Sequence, residues 1–288
     1  QKTAGSRVYA NHSVLANGNW YKIAIEKRGV YKVDYSFLKN TLGLDMNSIN
    51  TANISVYGNG GEELAESNAV PRLDDLAENA IWIEDGGDGK FDAGDYFLFY
   101  ANGPHTYIKD SAQNRFTHQF NIYSESSNYF LNFELGPGKR IPTAPNVGSP
   151  NVNVTSFNEF QFYEKDSVNL GKFGKRWWGD EFNDVPGRYL NRSFTFNIPD
   201  LEPAEPVYIR TVTGAVSNSG YSGMAVKANG QLIQSLQFEP FANVEDYAKP
   251  TAVVKDVTTL VSSLTSPITL NFNFTKGSSP AYGNLDFI

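Results

Sequence analysis

Cysteine is absent from all 288 residues, which excludes a disulfide framework, a thiolate metal site and a cysteine nucleophile within the chain. Histidine and methionine are scarce, at 3 and 2 residues. The three histidines, His12, His105 and His118, show no metal-ligand spacing and no carboxylate pattern beside them, so surface or turn positions account for them. No Gly-x-Ser-x-Gly elbow is present to support a serine hydrolase. No apolar run reaches the roughly 18 residues that span a bilayer, so no transmembrane segment is expected. A charged-then-apolar leader is also missing, and Gln1 fits the position that follows signal-peptide removal. Basic character is the last absence. With 24 Lys and Arg against 31 Asp and Glu, the net charge is -7, and neither nucleic acid nor an anionic membrane surface is an expected partner.

Aromatic rings are abundant: 16 Tyr and 20 Phe bring the aromatic share to 14%, which suits pleated sheets. The length accommodates two domains, each able to bury a core. Stretches rich in Asn, Ser, Gly and Tyr resemble exported β-proteins. Residues 1–140 form a β-rich domain in this reading. Trp20–Glu26 and Val30–Asp34 alternate around Lys27-Arg28-Gly29 as a hairpin would. Asp34 is placed as the N-cap of one short helix, Tyr35–Leu42, stopped by Gly43. Asn53–Tyr57, Ala80–Glu84, Tyr96–Ala101 and Asn128–Leu135 continue the strands, with a turn or single helical turn over Pro71–Asn79. Gly136–Pro150, dense in Gly and Pro, reads as the linker. Residues 151–288 then carry short strands at Phe157–Tyr163, Ser193–Ile198, Val207–Ala215, Met224–Ala228, Leu232–Phe238, Ala252–Val254, Ile268–Phe274 and Asn284–Ile288. That spacing predicts a jelly-roll or galactose-binding-like β-sandwich. Asn229-Gly230 is a strong hairpin signal, because a type I′ turn needs positive φ at both central residues.

Three places invite chemistry. In the acidic loop Glu84–Asp95, setting Asp88-Gly89 at the fifth and sixth positions of a calcium loop puts the Lys90 carbonyl seventh, Asp92 ninth and Asp95 twelfth. Calcium is therefore the one cofactor the sequence suggests. The head of the loop fits poorly, since Gly86 occupies the third position, and a Gly-Asp turn whose carboxylates cap backbone N–H groups competes with it and is favoured. Trp177 and Trp178 form an adjacent indole pair suited to stacking on a sugar, and burial of at least one ring as a core anchor is the stronger reading. Asp74, Asp75 and Glu78 beside Arg72 read as a capped helical turn rather than acid-base machinery. Asn-x-Ser/Thr triplets at Asn11, Asn53, Asn153, Asn191 and Asn273 are what an Asn-rich chain produces by chance.

An ordered set of strings carries a resemblance. Gly29-Val30-Tyr31-Lys32-Val33, Val56-Tyr57-Gly58-Asn59-Gly60-Gly61, Asp75-Leu76-Ala77-Glu78-Asn79-Ala80-Ile81 and Gly87-Asp88-Gly89-Lys90-Phe91-Asp92 are followed by Asp95-Tyr96-Phe97-Leu98-Phe99-Tyr100, Asn121-Ile122-Tyr123-Ser124 and Arg176-Trp177-Trp178-Gly179. Together they resemble the N-terminal region of the gingipain-like cysteine peptidases, in particular the sortases of the type IX secretion system. The resemblance implies a noncatalytic segment (a prodomain, scaffold or docking module) ahead of a cysteine peptidase domain that carries the Cys-His pair. It also implies an exported location, at the outer-membrane surface or outside the cell. Partners would be that peptidase domain, secretion-system proteins or surface polysaccharide. No catalytic residue carries over, since the chain has no cysteine. A carbohydrate-binding module for surface polysaccharide is the competing function.

Overall fold

A computed structural model describes residues 9–112, 115–145, 148–172, 174–241, 252–278 and 280–288. Gln1, and Phe173 of the tryptophan loop, lie outside them. The chain is mostly β and antiparallel, with one short helix-like element, as the sequence predicts. It divides into two compact units, Gln1–Asn153 and Val154–Ile288. No helix of the described residues is long and apolar enough to cross a membrane.

Among the described residues, the first unit holds nine strands: β1 (Tyr21–Ile25), β2 (Gly29–Asp34), β3 (Ser55–Tyr57), β4 (Glu78–Asn79), β5 (Ile81–Glu84), β6 (Tyr96–Ala101), β7 (Thr106–Asp110), β8 (Arg115–Gln119) and β9 (Ser127–Asn132). They form three sheets, in the orders β1-β9-β3-β4, β2-β6-β5 and β7-β8. Alternation turns Ile25, Val33, Val56, Ile81, Phe97, Phe99, Tyr129 and Leu131 into one core with Leu38 and Phe91. The expected hairpin of β1 with β2 does not form. β1 pairs with β9 and β2 with β6, so Lys27-Arg28 is a corner at which the chain leaves one sheet for the other. The corner is crowded from beneath. A Cβ on Gly103 would lie 2.8 Å from the Glu26 carbonyl oxygen, and the Tyr31 hydroxyl donates to the Lys27 carbonyl at 2.6 Å. Alternation reveals which residues are strand but not which strand they meet.

The predicted helix is present as a short helical stretch that widens into a π-turn over Phe37–Thr41. Asp34 caps it as expected, accepting from the Phe37 amide at 2.9 Å, and Leu38 is the side chain it buries completely. Gly43, at φ +71, lets the Leu44 amide turn back to the Leu38 carbonyl at 3.1 Å, which closes the end. The Pro71–Asn79 segment ends in β4 instead of forming a helical turn.

Among the described residues, the second unit holds eight strands: β10 (Glu181–Phe182), β11 (Asn191–Phe196), β12 (Val207–Ser217), β13 (Ser222–Ala228), β14 (Gln231–Phe238), β15 (Val253–Val261), β16 (Ile268–Thr275) and β17 (Ala281–Phe287). Two four-stranded sheets, β10-β17-β12-β15 and β11-β16-β13-β14, bury Phe182, Ile209, Ala215, Met224, Val226, Phe238, Leu270, Phe272, Phe274 and Leu285 in one cluster, as in a β-sandwich. A polar link runs through the same interior. The Thr211 hydroxyl donates to Gln234 at 2.7 Å, and the Gln234 amide reaches the Thr259 hydroxyl at 3.1 Å, so the two sheets are joined by satisfied hydrogen bonds. Asn229 (φ +46) and Gly230 (φ +86) make the turn between β13 and β14 with both residues left-handed. Phe157–Tyr163 is not a strand. Its apolar residues do not alternate against a partner, and Phe157 stands exposed.

Candidate functional site

The acidic loop joins β5 to β6 through a run of left-handed glycines, Gly86, Gly87, Gly89 and Gly94. Its carboxylates turn toward the backbone. Asp88 accepts from the Lys90 amide at 2.9 Å and Asp95 from the Asp92 amide at 2.6 Å. Asp85 accepts from the Thr51 hydroxyl at 2.6 Å and the Gly87 amide at 3.0 Å. The Thr51 hydrogen bond is the main reason its carboxyl lies below the usual range. Phe91 is buried beneath the loop, edge-on to Phe97. The carboxylates of Asp88, Asp92 and Asp95, three of the predicted calcium ligands beside the Lys90 carbonyl, do not converge within 4.8 Å of one another. Among the described residues, the group of three carboxylates whose oxygens converge, within 4.8 Å, is Glu164, Asp166 and Asp286 in the second unit. The loop is the capped turn.

Trp178 is only 1% exposed, which corrects its reading as a sugar platform: a ring with no free face cannot stack on a ligand. Ile209 and Ala215 turn toward the sandwich core, so Gly214 on β12 faces the opposite side, and the Trp178 indole covers it. A Cβ on Gly214 would lie 2.3 Å from the ring. Backbone hydrogen bonds with Val168 on both sides fix the residue, and Arg176 lies over the ring, 5.6 Å from its centre, while pairing with Asp286 at 2.9 Å. Trp177 is half-buried.

A polar network in the same region gave no signal in the sequence. The Tyr163 hydroxyl donates to Asp180 at 2.5 Å, and the other Asp180 oxygen pairs with Arg192 at 3.0 Å. Burial, reinforced by the hydrogen bond to Asp180 and its charge, pushes the Tyr163 phenol up to about 12. Backbone bonds between Tyr163 and Ile288, between Gly179 and Leu285, and between Leu285 and Asp180 tie the same segment along β17. The network fastens a strap to a sheet.

In the first unit, Asp74 and Asp75 do not start a helical turn. Asp74 accepts from the Ala10 amide and Asp75 from the Val14 amide, both at 2.5 Å, while Ser13 donates to Asp75 at 2.9 Å. The Val14 amide is the leading cause that lowers the Asp75 carboxyl. Glu78 accepts from the Lys139 amide at 2.6 Å, and Arg72 donates to the Ala65 carbonyl. These groups clamp chain to chain across long separations. The expected linker is partly clamped as well: the Ile81 amide donates to the Lys139 carbonyl, the Ile141 amide donates to the Ile81 carbonyl, and Arg140 donates to the carbonyls of Thr51, Ala52 and Ile54. His105 and His118 lie 6.4 Å apart ring to ring, with His105 on Phe120 at 4.0 Å.

A cavity of about 240 Å³ lies where the start of β1, the segment after the helical turn and the chain following β9 meet. Tyr21 and Phe133 meet edge-on in its wall, and Asp45 and Glu134 bring carboxylates to it. Its residues are scattered between positions 19 and 134, so no local string marks them.

The architecture defines a class: a two-unit antiparallel β-chain whose second unit is a sandwich with a strap along one sheet. A solved structure with the same fold is that of dimeric latent PorU from Porphyromonas gingivalis, 23% identical, with a TM-score of 0.72 over 97% of this chain and 24% of that one. The chain thus spans about a quarter of PorU's length. Two further structures, the insecticidal delta-endotoxin Cry8Ea1 from Bacillus thuringiensis (10% identical, TM-score 0.30, covering 85% of this chain and 42% of that one) and the VP2 subviral particle of infectious bursal disease virus (10%, 0.24, 93% and 71%), fall too low to carry a structural argument. No family model matches the chain, and no curated protein does.

Proposed function

We propose that this chain is the noncatalytic N-terminal β-region of a gingipain-like cysteine peptidase that acts as a sortase in type IX secretion. In this reading it serves as a prodomain, scaffold or docking module for its own peptidase domain and for secretion-system partners. It is exported to the outer-membrane surface or beyond the cell, and the catalytic cysteine and histidine belong to the domain that follows. One observation carries the reading: the fold is shared with PorU over 97% of this chain while accounting for only 24% of PorU. The absence of cysteine from the chain supports a segment that positions a cysteine peptidase without supplying its nucleophile.

The test is the reading frame beyond Ile288, followed by reconstitution. A peptidase domain with a Cys-His pair is expected there. Expressed separately, it should form a one-to-one complex with this chain in size-exclusion chromatography, and its activity should change on mixing. A reading frame that ends without such a domain, or two parts that elute apart with unchanged activity, would sink the proposal.

A further inference from the structure

The cavity of the first unit has two kinds of wall. Within a mostly polar lining, Ile49 at 6% exposure, Phe133 at 9% and the half-buried Leu44 give a small apolar patch, with the Tyr21 ring edge-on to Phe133 at 5.8 Å. Asp45 and Glu134, both exposed, supply negative charge, and no residue lining the cavity is cationic. Neutral donors hold the two carboxylates in place. The Asn47 amide and side chain donate to one oxygen of Asp45, at 3.1 and 3.2 Å. The Asn19 amide and side chain donate to the two oxygens of Glu134, at 3.2 and 2.7 Å. A carboxylate accepts at about four lone-pair positions, so both groups keep capacity for a further donor while their positions are already set.

We propose that this cavity binds a cationic side chain, a lysine or an arginine, presented by a partner polypeptide. The methylene stem lies against the small apolar patch and the carboxylates meet the charged head, the division that long basic side chains make for themselves on protein surfaces. Size argues for one side chain: about 240 Å³ lies below the range of roughly 300 to 1,000 Å³ that encloses cofactors and drug-sized ligands. A hard metal ion is a poorer occupant, because two carboxylates leave it far short of its usual six to eight oxygens. The net charge of -7 favours the approach of a basic partner. This inference depends on the cavity alone and not on the peptidase assignment, so either can fail without the other.

The test is a titration of the whole chain, followed by backbone-amide NMR, with Nα-acetyl-arginine amide, Nα-acetyl-lysine amide and the uncharged Nα-acetyl-norleucine amide. Saturable shifts confined to the amides near Asn19, Gly43, Asp45 and Glu134 are expected with one or both cations and not with norleucine. The two arms decide between arginine and lysine. Asp45→Asn keeps the one oxygen that accepts both Asn47 bonds, and Glu134→Gln keeps one of the two oxygens that Asn19 reaches in an exposed position, so the fold survives, while each weakens binding about tenfold. Unshifted amides elsewhere check the fold. Equal shifts with norleucine, no localised shift through the millimolar range, full binding by the double variant, or the same shifts from calcium chloride alone would each overturn the proposal.

Discussion

The two units solve the same packing problem with different parts. The second is built from long ladders: β12 runs eleven residues, pairs with β15 on one side and β17 on the other, and faces a second four-stranded sheet across a continuous core. The first is built from three smaller sheets, with strands no longer than six residues. Its intervening loops are held by single side chains that reach across sixty or more positions, such as Asp75 to Val14 and Arg140 to Thr51. Ladder hydrogen bonds are many and individually replaceable. Side-chain clamps are few, and each one removed leaves several backbone groups without partners. The second unit is therefore expected to depend on packing volume and the first on particular polar groups.

The most severe way to break that contrast is at Trp178. Trp178→Ala empties the space over Gly214, and removal of a fully buried indole costs about 3 to 5 kcal/mol. Denaturant unfolding followed by the fluorescence of Trp20 and Trp82 should leave the first unit's transition in place. A transition seen at Val168 or Leu285 by amide exchange should move to lower denaturant. A loss under 1 kcal/mol would show that the strap is an ornament on the sheet.

Arg140 is the matching lesion in the first unit. Its guanidinium reaches four carbonyls, those of Thr51, Ala52, Ile54 and Lys139, and its ionisation is disfavoured by burial, so Arg140→Ala is expected to cost about 2 to 3 kcal/mol. Arg140→Lys should recover little, because one ammonium cannot match the planar fork that spans Thr51, Ala52 and Ile54. Thermal unfolding of the two variants side by side measures this. Near-complete rescue by lysine would mean that charge, not hydrogen-bond geometry, fastens the segment.

These contrasts explain what the sequence revealed and what it concealed. Features that depend on neighbours in the chain were legible: Asp34 three residues before Phe37, the left-handed Gly43, and the Asn229-Gly230 turn all appear as the local chemistry predicts. The ladders of the second unit were largely legible too, since alternation persists over long strands; β15 was anticipated as only Ala252–Val254 and extends over Val253–Val261. Features that depend on distant partners were not. The β7-β8 ribbon leaves Ile108 and Phe116 exposed and so lacks a clean alternation, and the exchange of β1 and β2 between sheets changes no residue's pattern. Tyr163, Asp180 and Arg192 are ordinary residues apart in the chain, and Asp45 meets Glu134 at one cavity only after β9 has returned beside β1. Trp178 was the exception in kind: its size announced importance, and only its neighbour Gly214 decided that the role is packing.

A milder perturbation sharpens the comparison by pH. The folded chain holds the Tyr163 proton to about 12, whereas an unfolded tyrosine releases it near 10.0. The interaction therefore contributes in full below pH 10.0 and is lost as pH rises through about 12. Because the phenol is partly open to solvent, the contribution is discounted to on the order of 1 kcal/mol. Stability measured across this window should fall less steeply in Tyr163→Phe than in the parent chain. Parallel curves would remove Asp180 as the acceptor that matters.

The smallest effect belongs to the acidic loop, where the capping reading makes a quantitative claim against the calcium reading. Asp88 contributes one bond to the Lys90 amide in an exposed turn, so Asp88→Ala should cost about 0.5 to 1 kcal/mol with calcium or with chelator alike. A calcium site would behave otherwise, since a ligand bound only by the folded state at a hundred times its dissociation constant adds about 2.7 kcal/mol. Melting curves of the parent chain with calcium chloride and with EDTA decide the matter. Coincident curves fit a loop whose carboxylates already have backbone partners, whereas a rise with calcium that disappears in Asp88→Ala would mean that Asp88, Asp92 and Asp95 rearrange around an ion and that the caps seen here give way to it.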